Sequence, residues 1–172
     1  MGKTLAEKIL TAKSETDAKA GDIVVANVNL AFVQDTAGPL TVRQFRESGF
    51  QNVAEPQSSI VFFDHAAPSP ARQLSNDHIL LRRFAQETGC HIFEVGDGIC
   101  HQLVAERFAK PGDIVVGSDS HTVTAGALGA FATGMGSSDI AVALALGKTW
   151  FVYLKLSSST SKACFPKKFM LR

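Results

Sequence analysis

The sequence predicts an α/β domain with a largely parallel sheet and helices on its faces. Three observations carry that expectation. Short β-branched or apolar runs recur at 23–28, 59–63, 91–95 and 114–116, and 60–63 and 114–116 are apolar throughout, as strands buried on both faces require. Segments of helical period separate the runs, most clearly from Ala71 to Thr88. The later runs end abruptly in polar residues, at the edge where open α/β sheets place their ligands.

Taken in order, Thr4 and Glu7 have the spacing of a capping box over a first helix, with Leu5, Ile9 and Leu10 on one face. Gly21 and Asp22 turn the chain into Ile23–Val28, expected as the first strand of the sheet. The same pentapeptide, GDIVV, recurs at Gly112–Val116. No longer period accompanies it, so it marks two similar strand entries and not an internal repeat. The polar loop from Gln34 to Pro39 leads into a helix that Gly49 ends, with Pro39 at its first position. A site loop and a plain turn look alike there. Ser59–Phe63 is a strand followed by Asp64, His65, Pro68 and Pro70. The helix Ala71–Thr88, with Ile79, Leu80, Phe84 and Ala85 on its apolar face, stops at Gly89. The strand His91–Val95 then leads through Gly96, Asp97 and Gly98 to Cys100, His101 and Gln102.

The densest polar cluster follows the run Ile114–Val116, where Gly117 lets the chain turn and Ser118, Asp119, Ser120 and His121 come next. Gly126, Gly129, Gly134 and Gly136 follow, and residues without Cβ permit close approach of backbone to a ligand or a neighbouring element. An apolar helix over Ile140–Leu146 closes the pattern. Three strand ends thus carry a histidine: His65 beside Asp64, His101 beside Cys100, and His121 near Asp119. A shared sheet edge would bring them together. A carboxylate near an imidazole orients it and favours its charged form, which is what proton transfer near neutral pH needs. His78 and His91 are expected to be satisfied core histidines. Neutral imidazole and carboxylate also suit zinc or manganese, so a metal-dependent hydrolase using Asp64, His65, His101, Asp119 and His121 is the alternative of another class. Gly147, Lys148 and Thr149 imitate the end of a P-loop, but Val142 stands where that motif needs glycine.

Composition excludes several classes. With 17 Lys and Arg against 16 Asp and Glu, the formal net charge of +1 supplies no field for nucleic acid or an anionic membrane. Hydrophobic content of 45% over 172 residues is enough for one domain with a proper core. No apolar run approaches membrane length and the N-terminus has no apolar leader core, so a cytoplasmic protein is expected. Cys90, Cys100 and Cys164 form no CxxC pair and read as reduced thiols, with no metal site made by them within the chain.

These residues carry a resemblance. The segments TLAEKIL, QDTAGPL, VFFDHAAPSP, GDGICHQ, PGDIVVGSDSHT, GALGAFATGMGSSD and LALGKTWF, between about Leu5 and Phe151, resemble the N-terminal part of the aconitase superfamily. Within it the large subunits of 3-isopropylmalate dehydratases are most similar, with homoaconitase and 2,3-dimethylmalate dehydratase as alternatives. The resemblance implies domain one of the aconitase fold and a hydro-lyase lineage in leucine biosynthesis. It also implies a hydroxy-dicarboxylate or tricarboxylate substrate, a separate small subunit, and a 4Fe-4S cluster held by three cysteines that act as its ligands. By the same resemblance Gln34 and Ser120 contact substrate, Asp64 and His65 protonate the departing hydroxyl, His101 and Asp119 form a second pair, and His121 stands near bound water. The family's cluster cysteines lie beyond the positions of Cys90, Cys100 and Cys164, so this chain by itself is expected not to catalyse.

The family-like region is expected to span 1–151. After Phe151 the family continues with a segment like RVPETIKV, whereas 152–172 reads VYLKLSSSTSKACFPKKFMLR, with a Ser/Thr run and a basic end. One restored base before suitable codons for this stretch gives RVPETIKFNFKGMLSQEVYAK. A single-base shift is therefore expected, leaving 152–172 as out-of-frame peptide. Resequencing the source DNA across these codons should show the RVPETIK frame once one base is restored; a gene without that frame sinks the idea.

Overall fold

The computed structural model describes residues 3–14, 16 and 21–152. In chain order its strands are β1 (Ile23–Asn27), β2 (Leu30–Gln34), β3 (Ser59–Phe62), β4 (His91–Phe93), β5 (Ile114–Gly117), β6 (Phe131–Gly134) and β7 (Lys148–Val152). Its α-helices are α1 (Leu5–Ser14), α2 (Gly38–Glu47), α3 (Arg72–Thr88), α4 (Cys100–Arg107) and α5 (Ser137–Leu146). A 3-10 segment covers Ser120–Leu128. Among the described residues no helix is long and apolar enough to cross a membrane.

Five strands form one parallel sheet in the order β4-β3-β2-β5-β6; the largely parallel sheet was expected, and β3, β4 and β5 come from apolar runs read in the sequence. Alternate side chains of the central strand go to opposite layers. Ala31 and Val33 join α1, α2, α3 and α5 residues in one core cluster, while Leu30 and Phe32 join Cys100, Leu103 and Val104 of α4 in the other. Helices on both faces explain why β2, β3 and β5 are buried at every position. The order of the sheet reverses between β2 and β5, and in open α/β sheets the crevice at the carboxyl ends of such a pair is where ligands bind.

The capping box forms: Glu7 N–H donates to the Thr4 hydroxyl oxygen and Thr4 N–H to the Glu7 carboxylate. Three expectations need correction. Ile23–Val28 is not the first strand of the parallel sheet; β1 pairs antiparallel with β7 in a separate two-stranded ribbon, and β2 takes the sheet position. The chain breaks at Asn29, whose side-chain oxygen accepts the Ile114 N–H. The strand read at 91–95 ends at Phe93, because Glu94 N–H is turned toward the Asp97 carboxylate and the Glu94 side chain pairs with Arg82. The buried stripe of α3 runs through His78, Leu81, Phe84 and Ala85, leaving Ile79 exposed. The glycine-rich stretch after His121 also holds β6, too short to read from periodicity.

Val152 is the last residue of β7, opposite Ile23, and so the one position of the suspected out-of-frame stretch with a described place. Positions 153–172, Cys164 among them, lie outside the described residues.

Candidate active site

The carboxyl ends of β2, β3 and β5 and the first turn of α4 deliver the expected polar groups to one place. Asp64 follows Phe63 just past β3, and its carboxylate is nearly buried, at 5% exposure of the side chain. One oxygen accepts the Cys100 N–H at 2.7 Å and the other lies 2.9 Å from His65 Nδ1. Burial alone would raise the Asp64 pKa, but the Cys100 N–H and the His65 ring outweigh it and hold the carboxyl below its usual range.

His65 is oriented from both sides. Nδ1 faces Asp64 and Nε2 lies 3.5 Å from Asp119 Oδ2. Burial pushes its pKa down, but the hydrogen bond to Asp64 and the charges of Asp64, Asp119 and Asp35 together push it above the usual imidazole value. His101 has the opposite balance. Its burial outweighs the nearby Asp119, and His65 and His121 add repulsion, so its pKa is lowered. Asp119 Oδ1 stands 2.9 Å from His101 Nε2, yet neither ring nitrogen of His101 makes a hydrogen bond. The carboxylate oxygen therefore lies near Nε2 but out of line with it, a close approach and not a hydrogen bond.

Asp119 is the hub. Its Oδ1 accepts the His121 N–H at 2.7 Å and lies 3.2 Å from His121 Nδ1, while Oδ2 faces His65. Partial burial would raise its pKa, but the His121 N–H and the His101 and His65 rings outweigh that and lower it. Rings of His65 and His101 are 5.9 Å apart between centroids, and those of His101 and His121 5.8 Å. All five residues expected to do acid/base work, Asp64, His65, His101, Asp119 and His121, thus converge. His101 arrives from the start of a helix and not from a strand end.

The two expected substrate contacts differ in setting. Ser120 is exposed beside His121, with its Oγ 3.4 Å from Nδ1. Gln34 is buried, and its side-chain oxygen already accepts the Thr36 hydroxyl and the Thr36 and Ala37 N–H groups, which leaves the side-chain amide as its remaining donor.

One functional element escaped the sequence reading. Asp35 is fully buried; it accepts the His65 and Ala66 N–H groups, each at 3.0 Å, and meets His78 Nε2 at 3.1 Å. A buried carboxylate needs such partners, and these anchor the backbone that carries His65. His78, expected as a satisfied core histidine, is one, with Asp35 as its partner. His91 is not: it is exposed and meets Gln57 across the outer edge of the sheet. The only advance signal of Asp35 was its place in the polar loop from Gln34 to Pro39.

The donor set does not fit an iron–sulfur cluster. Among the described residues the cysteines are Cys90 and Cys100, both buried and in different core clusters on opposite faces of the sheet. Burial pushes both thiols above their usual pKa, away from the thiolate that binds iron. A hollow lined by Asn29, Gln57, Arg107, Lys110 and Asp113 opens near the starts of β2, β3 and β5, the opposite end of the sheet from the imidazoles.

The similarity of this chain to known proteins supports the resemblance. The model of the aconitase family (aconitate hydratase) matches residues 7–160. The 3-isopropylmalate dehydratase large subunit of Elusimicrobium minutum is 56% identical over 150 residues, 87% of this chain and 36% of that protein. Large subunit 1 of Thermotoga maritima is 54% identical over 88% of this chain and 36% of its own length. Large subunit 2 of Archaeoglobus fulgidus is 50% identical over 100% of this chain and 42% of its own length. The chain therefore spans little more than a third of the length of these relatives.

Proposed function

The chain belongs to the aconitase family, and from that premise we propose that it is the N-terminal α/β portion, residues 1–151, of a 3-isopropylmalate dehydratase large subunit. In this reading the complete protein interconverts 2-isopropylmalate and 3-isopropylmalate by loss and readdition of water, together with a small subunit. The observation that supports it best is the convergence of two carboxylate–imidazole pairs whose histidine pKa values are pushed in opposite directions. Such a split supports a division into acid and base. His65, whose pKa the hydrogen bond to Asp64 and the Asp64 and Asp119 charges push above its usual value against burial, donates a proton from Nε2 to the departing hydroxyl. His101, kept neutral by burial, accepts or orients the proton of water. Dehydration breaks the C–O bond and removes a proton from the neighbouring carbon; rehydration reverses both. Relatives of this family use a 4Fe-4S cluster as Lewis acid, but the described cysteines do not fit one; the proton given to the departing hydroxyl and the proton of water are handled by His65 and His101 of this chain, while the proton on carbon is taken by a base from the remainder of the complete protein. Ser120 and the Gln34 amide contact the substrate's polar groups.

A chimera tests the proposal. Residues 5–151 replace the matching part of the Thermotoga maritima large subunit, produced with its small subunit, and isomerisation of 3-isopropylmalate is followed. Turnover above the host lacking this part is expected, while the 172-residue chain alone gives none. A folded, cluster-loaded chimera without turnover overturns the reading.

A further inference from the structure

We infer that His65, His101 and Asp119 together form a binding site for a divalent ion of the zinc class. One ring nitrogen of each histidine and an Asp119 oxygen all lie within 4.8 Å of one another. Around a tetrahedral zinc, donors at about 2.1 Å from the ion stand about 3.4 Å apart; His65 Nε2 lies 3.5 Å from Asp119 Oδ2, close to that spacing, and His101 Nε2 lies 2.9 Å from the other oxygen, Oδ1. Three features beyond proximity point to an ion. Both nitrogens of His101 are buried without a hydrogen-bond partner, although Asp119 is close enough to supply one. Its lone pair is left for something other than a proton donor. His65 meets Asp64 through Nδ1, the carboxylate–imidazole arrangement that fixes the tautomer and aims Nε2 at a metal. Asp119 is itself aimed by the His121 N–H on Oδ1, and its two oxygens face the two imidazoles, Oδ1 toward His101 and Oδ2 toward His65.

Two imidazoles and one carboxylate favour zinc or cobalt over magnesium or calcium, which prefer oxygen ligands. A bound ion takes the same ring nitrogens that proton transfer uses, so binding and acid/base chemistry exclude each other. Ion binding at these three side chains does not depend on the dehydratase reading and holds whether or not that reading does.

The test uses the 172-residue chain, freed of metal by chelator and kept reduced. Co2+ is titrated while its visible absorption is followed, and Zn2+ is titrated by calorimetry and by histidine ring proton resonances. One ion per chain is expected, with His65 and His101 resonances shifting and those of His91 and His78 unmoved. Asp119→Asn and His101→Gln should each weaken binding at least about tenfold, and Asp64→Asn, which removes a group that aims a ligand without touching the ion, by roughly 10–100-fold. His91→Gln and Cys164→Ser should leave affinity unchanged, and Mg2+ should not compete. If a variant fails to fold, the resonance shifts in the unaltered chain decide the matter. No saturable binding, or binding that moves only with the cysteines, overturns the inference.

Discussion

Asp119→Asn in the chimeric enzyme should lower turnover by roughly 10²–10⁴-fold, the range that a positioned acid/base system supplies. The reason is the number of groups this one carboxylate serves. It lies 2.9 Å from His101, 3.5 Å from His65 and 3.2 Å from His121. Asparagine keeps the shape and can still accept the His121 N–H, so the loss reports charge and not packing. The sign of the accompanying titration is fixed as well. Asp119 raises the pKa of both His65 and His101, so both should fall in the variant, measured by histidine resonances with chelator present. His65 then loses its proton at lower pH, and the limb of the pH–rate profile that reports the acid moves down with it. Turnover within about threefold of the parent chimera, or histidine pKa values that stay put, would show that the carboxylate is a structural cap and nothing more.

Gly134→Ala should be nearly as severe although the residue carries no chemistry. Gly134 ends β6 opposite Gly117 of β5. A Cβ there would collide with the Asp119 carbonyl oxygen and stand 2.9 Å from the Asp119 carbonyl carbon and 3.1 Å from Ser120 Cα. Every obstructing atom is backbone, so no rotamer change relieves the clash, and the loop bearing Asp119, Ser120 and His121 must shift. Overpacking of this kind costs about 1–3 kcal/mol of stability. A displacement near 1 Å costs about 10²-fold in rate, so turnover should fall further than stability does. Gly126→Ala is the control: nothing lies within 4 Å of its added Cβ, and its stability should change by no more than about 0.5 kcal/mol. Denaturant midpoints and turnover measured on the same preparations separate the two effects; a Gly134→Ala chimera as active as its parent would refute the clash.

Much of the site was legible because its signals are local. An apolar run that ends in Asp64 and His65, or in Ser118, Asp119 and His121, needs only neighbouring residues to be recognised, and the capping box of Thr4 and Glu7 is local in the same sense. Family membership was also readable, since the motifs that carry it lie within short windows.

What the sequence could not decide is shown by GDIVV, which occurs twice. At Gly21–Val25 it enters an edge ribbon in which Ile23 and Val25 are 69% and 54% exposed, whereas at Gly112–Val116 it enters the middle of the sheet with Ile114, Val115 and Val116 at 0%. The same five residues have the same intrinsic preference in both places, so packing from distant segments made the difference. The same holds for Asp35, whose partners His65 and His78 lie 30 and 43 residues away, and for His101, brought to Asp119 by the docking of α4 onto the sheet face. By itself the sequence determined the strands' chemistry and the identity of the five convergent side chains. Strand order, the ribbon, and the buried carboxylate that anchors His65 were decided only by tertiary structure, because backbone propensity acts over a few residues while burial and ion pairing depend on what the rest of the chain packs against them.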